Sequence, residues 1–173
     1  AAVRYTTLDA FNLAGLAGVE LEMDFTLVGV LPAVGVLLAD QGVASRALII
    51  SLRADGKLYI DFTGAGGSIS HPSAAGAVAS GGRYRLLWQY QDGHVGWWLN
   101  GVKKVLSPSA HKGALIDTSG KIYVGAYNAA VSTHYYPVQM ILHRLRISSA
   151  VTRQFNSYAP AMQWSGARRY GQP

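Results

Sequence analysis

Residues 84–105 read YRLLWQYQDGHVGWWLNGVKKV, and this stretch constrains the fold more than any other. Three short apolar and aromatic runs are joined by two tight turns, Asp92-Gly93 and Asn100-Gly101. A type I′ hairpin turn needs positive φ at both central residues, which Asp-Gly and Asn-Gly supply at least cost. The segment is therefore expected to form a three-stranded meander with aromatic side chains on its middle strand. Neighbouring residues on a strand point to opposite faces. Trp97 and Leu99 thus share one face and Trp98 takes the other, beside Gly96. On the preceding strand Leu86, Trp88 and Tyr90 share the core side, with Tyr90 half exposed near the turn, and Arg85, Leu87 and Gln89 face the other way.

The same period-two logic extends upstream. In VELEMDF (19–25), Val19, Leu21, Met23 and Phe25 alternate with Glu20, Glu22 and Asp24, the signature of a strand with one buried face. Residues 26–38 continue as loop and strand. Residues 47–53 and 57–63 pair around the Asp55-Gly56 turn, with Leu48, Ile50, Leu52, Leu58, Ile60 and Phe62 inside. Residues 64–82 are small and Gly-rich, a long surface loop or weak edge. Residues 106–119 read as a polar loop, 121–126 as a strand, 127–137 as an aromatic loop and 138–147 as a strand. A short helix over 149–158 is expected to follow, with Ser148 or Ser149 as its cap. Many short strands with almost no helix predict an all-β antiparallel sandwich or barrel.

Composition narrows the class. With 173 residues the chain is expected to be one domain, its core over about 17–155 and a tail over 156–173, large enough to build a full core without staples. There are no cysteines, so disulfides and thiolate chemistry are excluded; for an extracellular protein this suits a bacterial or viral product. No apolar stretch has the length of a membrane-spanning helix. The net charge is +6, but it is dispersed over small clusters (Lys103-Lys104, Arg144/Arg146, Arg168-Arg169), which reads as a solvated basic surface rather than a nucleic-acid site. Neither nucleic acid nor membrane insertion is expected.

Four segments, in order, resemble the concanavalin A-like superfamily, in its laminin-G-like and pentraxin-like jelly-roll branch: VELEMDF with VLLADQG (36–42), RALIISLRADGKLYIDF (46–62), the meander, and KIYVGAYN (121–128) with LHRLRISSAVT (142–152). Two positions depart from that pattern, His143-Arg144 for an acidic pair and Arg83-Tyr84 for Trp-His. The resemblance implies two stacked antiparallel sheets and a recognition module for glycans or cell-surface receptors. It also implies an extracellular or virion-surface setting, such as a bacteriophage tail fibre or spike or a bacterial surface-attachment protein.

Each candidate site carries two readings. Glu20, Glu22 and Asp24 line one face about 7 Å apart, either as a solvated outer face or, by likeness to laminarinase-type glucanases, as carboxylates for glycoside hydrolysis. Trp98 is either an open stacking platform for a sugar ring or covered by a helix, loop or partner subunit. His134, Tyr135 and Tyr136 stand in a loop before the closing strand, as a recognition surface or as a plug of the core. The expected recognition set is Trp98, Tyr90, His134, Tyr135 and Tyr136, with Arg144 and Arg146 added for an anionic ligand. Catalytic residues are not expected. The five histidines (71, 94, 111, 134, 143) lack zinc spacing. Asp40, Asp61 and Asp117 form no cluster, so neither Ca²⁺ nor another cofactor is indicated. A structural role, as a homotrimer or other homo-oligomer with the aromatics as contacts, is the second reading.

Overall fold

A computed structural model describes residues 6–8, 13, 16, 18–41, 46–91, 94–106, 115, 121–130 and 133–149. Thirteen strands are found among them: β1 (Thr6–Leu8), β2 (Gly18–Leu27), β3 (Val34–Gln41), β4 (Arg46–Arg53), β5 (Leu58–Gly64), β6 (Gly67–Pro72), β7 (Arg83–Gln91), β8 (His94–Leu99), β9 (Val102–Leu106), β10 (Lys121–Val124), β11 (Tyr127–Ala130), β12 (Thr133–Tyr135) and β13 (Met140–Ser148). They form a six-stranded sheet, β1-β10-β3-β4-β5-β6, a five-stranded sheet, β13-β2-β7-β8-β9, and a two-stranded ribbon, β11-β12. Every strand pairing is antiparallel.

The meander forms as β7, β8 and β9. Its second turn has the dihedrals that Asn-Gly predicts, φ 51° at Asn100 and 78° at Gly101. Asn100 also clamps the hairpin from both sides: its Oδ1 accepts from the Arg85 amide at 2.8 Å, and its own amide donates to the Arg85 carbonyl at 2.8 Å. The Asp92-Gly93 turn lies outside the described residues. At the β4–β5 turn Gly56 has φ 75°, and a side chain there would collide with the Val78 carbonyl, so both conformation and space require glycine.

The inner faces of the two sheets meet in one core. Val19, Leu21, Met23 and Phe25 from β2 and Leu86, Trp88 and Tyr90 from β7 are all 0% exposed, and they pack with Leu48, Ile50, Leu52, Leu58, Ile60 and Phe62 of β4 and β5. Phe62 sits 5.8 Å from Tyr90 in an edge contact and 6.1 Å from Trp88. Burying each of the large side chains is worth about 1.5–3 kcal/mol.

One alternative is decided and two expectations change here. Of the two readings of 64–82 the edge holds over Gly67–Pro72: a tight turn at Ala65-Gly66 lets this stretch, β6, ladder back onto β5. The aromatic loop over 127–137 contains the β11–β12 ribbon. Tyr90 is fully buried rather than half exposed, because it stacks 6.1 Å from Trp88 and meets Phe62 across the sandwich. Ser148 ends β13 and Ser149 is a bend, while residues 150–158 of the predicted helix, the tail over 156–173, Asp117 and His111 lie outside the described residues.

Candidate functional site

The outer face of the five-stranded sheet gathers most of the chain's distinctive side chains. Residues opposite each other in an antiparallel pair share a face, so the register reads directly across the sheet. One row runs Arg146, Glu22, Leu87, Trp98, Lys103 from edge to edge. A second row holds Arg144, Asp24 and Arg85, and a third Ser148, Glu20, Gln89 and Gly96.

Alternation correctly places Glu20, Glu22 and Asp24 on this face, but the face is not solvated at its centre. Glu20 and Glu22 are 1% exposed. β2 lies between β13 and β7, so side chains from both flanks close over its carboxylates. Each carboxylate is matched by a protein donor, as burial of charge demands. Gln89 Nε2 donates to Glu20 Oε2 at 2.9 Å. Arg85 Nη2 donates to Glu22 Oε1. Arg83 grips Asp24 through two bonds, Nε to Oδ1 at 3.0 Å and Nη2 to Oδ2 at 2.7 Å, the forked geometry that makes arginine–carboxylate pairs strong.

Trp98 does point outward, as the register predicts, yet it is 1% exposed and packs with Leu87 in a small apolar cluster separate from the main core. Of its two readings the covered one holds, and Trp98 offers no open platform. Tyr90 is on the opposite face, inside the core, and is likewise removed from the recognition set.

Accessible cations stand on β13, at Arg83 of β7 and at Lys103 of β9. Arg144 is half exposed, with its guanidinium 4.0 Å from Glu22 Oε2. Arg146 is exposed, and among the described residues it has no ion pair. The two stand two positions apart on the same face, about 7 Å. Tyr136 is 46% exposed at the end of the sandwich. Its φ of 57° is rare for a bulky residue, and its carbonyl accepts from the Val36 amide at 2.9 Å, which ties that conformation to the neighbouring sheet. The backbones of His134 and Tyr135 belong to β12, and their side chains lie outside what is described. Sequence reasoning placed Arg85 and Gln89 on this face but missed Arg83, and it missed that all three are donors to the carboxylates of β2. Their alternation with Tyr84, Leu86, Trp88 and Tyr90 put them on the outer side, and only the pairing of β7 with β2 sets them against carboxylates.

Among the described residues no group of three or more His, Asp or Glu is placed to hold a metal ion, and no helix is long and apolar enough to cross a membrane.

Neither a family model nor a curated relative matches the chain. Solved structures do match its fold. A carbohydrate-binding module, CBM40, of the Ruminococcus gnavus IT-sialidase, solved bound to α2,3-sialyllactose, superposes with TM-score 0.67 at 10% identity over 86% of this chain and 84% of that one. The heptameric SAP-like pentraxin of Limulus polyphemus gives 0.60 at 11% identity over 83% and 69%. Mouse laminin α1 domains LG4-5 give 0.62 at 19% identity over 87% and 44%. The chain has the laminin-G-like and pentraxin-like jelly-roll fold of the concanavalin A-like proteins.

Proposed function

We propose that the protein is a non-catalytic recognition module for acidic glycans, binding along the β13 side of the five-stranded sheet's outer face. One observation carries the reading. Each carboxylate of the face is already engaged by a protein donor, and Glu20 and Glu22 are buried. On the β13 side the exposed Arg144 and Arg146, like Arg83 and Lys103 further across the face, can only donate. A ligand here must bring acceptors, and a sugar carboxylate or sulfate fits the fork of a guanidinium best. Tyr136, 46% exposed, presents an aromatic ring of the kind that stacks on sugars. The likeness to a sialyllactose-bound module supports the reading at the level of fold. An extracellular place, on a virion or a bacterial surface-attachment protein, belongs to the same proposal and rests on the cysteine-free composition.

The geometry counts against the glucanase reading. Hydrolysis needs an accessible carboxyl pair, one of them free to donate a proton, whereas Glu22 is buried and paired with Arg85.

The test is a glycan panel including neutral, carboxylated and sulfated polysaccharides, run with the wild-type domain and with Arg144→Ala and Arg146→Ala. Saturable binding of acidic glycans is expected, weakened about tenfold or more by either substitution in variants that remain folded; an arginine–carboxylate hydrogen bond of about 1.5–3 kcal/mol gives that factor. Absence of binding to every acidic glycan overturns the proposal. A subunit-contact role keeps one observation in its favour: Val28, Val30, Tyr136 and Ile141 expose apolar surface where β2 ends and β13 begins. Solution mass by sedimentation tests it.

A further inference from the structure

The geometry points to a second kind of ligand, distinct from the glycan reading: we propose that the open edge of β13 accepts an extended peptide strand whose residues alternate between apolar and acidic. β13 is nine residues long and ends the five-stranded sheet. Among the described residues no strand pairs with its far side. Ile141 is 53% exposed and Leu142 38%, and His143, Arg144 and Arg146 are exposed too. A long edge strand is a template for strand addition, in which the backbone supplies affinity and the two side-chain rows supply specificity.

The two rows of β13 differ sharply in chemistry. Met140, Leu142, Leu145 and Ile147 stand opposite Leu27, Phe25, Met23 and Leu21 of the core, and Met140, Leu145 and Ile147 pack on that core while only half buried. An added strand with apolar residues on this side extends the core by one strand. The outward row carries Arg144 and Arg146 opposite Asp24 and Glu22. An added strand with acidic residues on that side meets the same two arginines from the far side. The neighbour that β13 already has, β2, shows the matching pattern in its own sequence, Val-Glu-Leu-Glu-Met-Asp-Phe. A ligand strand of like pattern would find the same two rows. The bulge between Leu142 and Arg144 leaves Arg144–Ile147 as the regular stretch where such a strand would register.

Charge disfavours the most obvious competitor, a second copy of this chain, in the two registers centred on the regular stretch. An antiparallel self-pairing centred on Arg144 sets guanidinium against guanidinium, and one centred on Leu145 sets Arg144 against Arg146. Like charges directly opposite destabilise a pair.

The experiment is fluorescence anisotropy with the labelled peptide Val-Glu-Leu-Glu-Val-Asp-Leu. Four comparison peptides are used: one of the same composition in block order, one with Lys for each acid, and two N-methylated on alternate residues, odd or even. The alternating acidic peptide is expected to bind saturably, with the block-ordered and Lys forms at least tenfold weaker. One N-methylated form should bind like the parent and the other should fail, because strand addition uses only one edge of the ligand. In Arg146→Glu the preference is expected to move towards the Lys peptide. No saturable binding, equal binding of both N-methylated forms, or equal binding of the block-ordered form overturns the inference. So does a concentration-dependent dimer abolished by Leu142→Asp, which assigns the edge to a second copy. Because peptide and glycan are read separately, either proposal fails without the other.

Discussion

Replacing Glu22 by Gln tests whether the outer face is held by buried charge. Glu22 is 1% exposed, and its partner Arg85 retains 18% of its side-chain surface. Gln keeps the volume, so no cavity opens, but the Arg85 guanidinium loses its counter-charge. Breaking a buried pair from one side costs about 3–5 kcal/mol, mostly the penalty of the stranded ion. Arg85 keeps some contact with water, so the low end applies, about 3 kcal/mol. For a chain of this size that is a fall in Tm of about 6–12 °C. Removing the arginine as well, in Glu22→Gln with Arg85→Met, takes away the stranded charge, so the double variant is expected to recover more than half of the loss. Urea denaturation of the four proteins closes a double-mutant cycle. Repeating it in 1 M salt adds a second reading, because a buried pair is screened far less than a surface one. The reasoning is refuted if Glu22→Gln lies within about 1 kcal/mol of wild type, or if the double variant loses the sum of the two singles.

Two further outcomes are expected. Trp98→Ala should destabilise by about 3–5 kcal/mol, the usual cost of emptying a buried aromatic site, while glycan affinity of the folded fraction stays within a few-fold. A folded variant that has lost binding would return Trp98 to the recognition set. Burial of Tyr90 pushes its hydroxyl above the ordinary 10.0. The unfolded chain therefore releases this proton first as pH rises past about 10, the unfolded state binds fewer protons than the native one, and stability falls with increasing pH. Tyr90→Phe should flatten that alkaline decline in urea midpoints measured from pH 8 to 11, and an unchanged slope would show that Tyr90 does not contribute to it.

How much of this was legible in the chain differs from element to element. Asn100-Gly101 specified its hairpin because a positive-φ turn depends on two adjacent residues. The alternation in 19–25 and 84–90 named the inner face correctly, residue by residue, because a strand's period of two is a local property. The order of the four motif segments was enough to reach the jelly-roll class. The edge strand β6 was less legible: Gly, Ser and Pro carry little strand preference, and its pairing with β5 outweighs that.

The fate of the outer face was not in the alternation at all. Period two says that Glu20, Glu22 and Trp98 point away from the core, and stops there. Whether they meet water depends on which strands lie alongside. Arg85 is 63 residues from Glu22 and Gln89 is 69 from Glu20, while Arg144 arrives on β13 from the far end of the described chain. Only the tertiary pairing brings these donors beside the carboxylates and leaves Arg144 and Arg146 exposed along the edge strand β13. The sequence by itself determined the strands, their inward faces and the class of fold, since those follow from neighbours in the chain. The accessible chemistry was decided by strand order, since burial is a sum over neighbours in space.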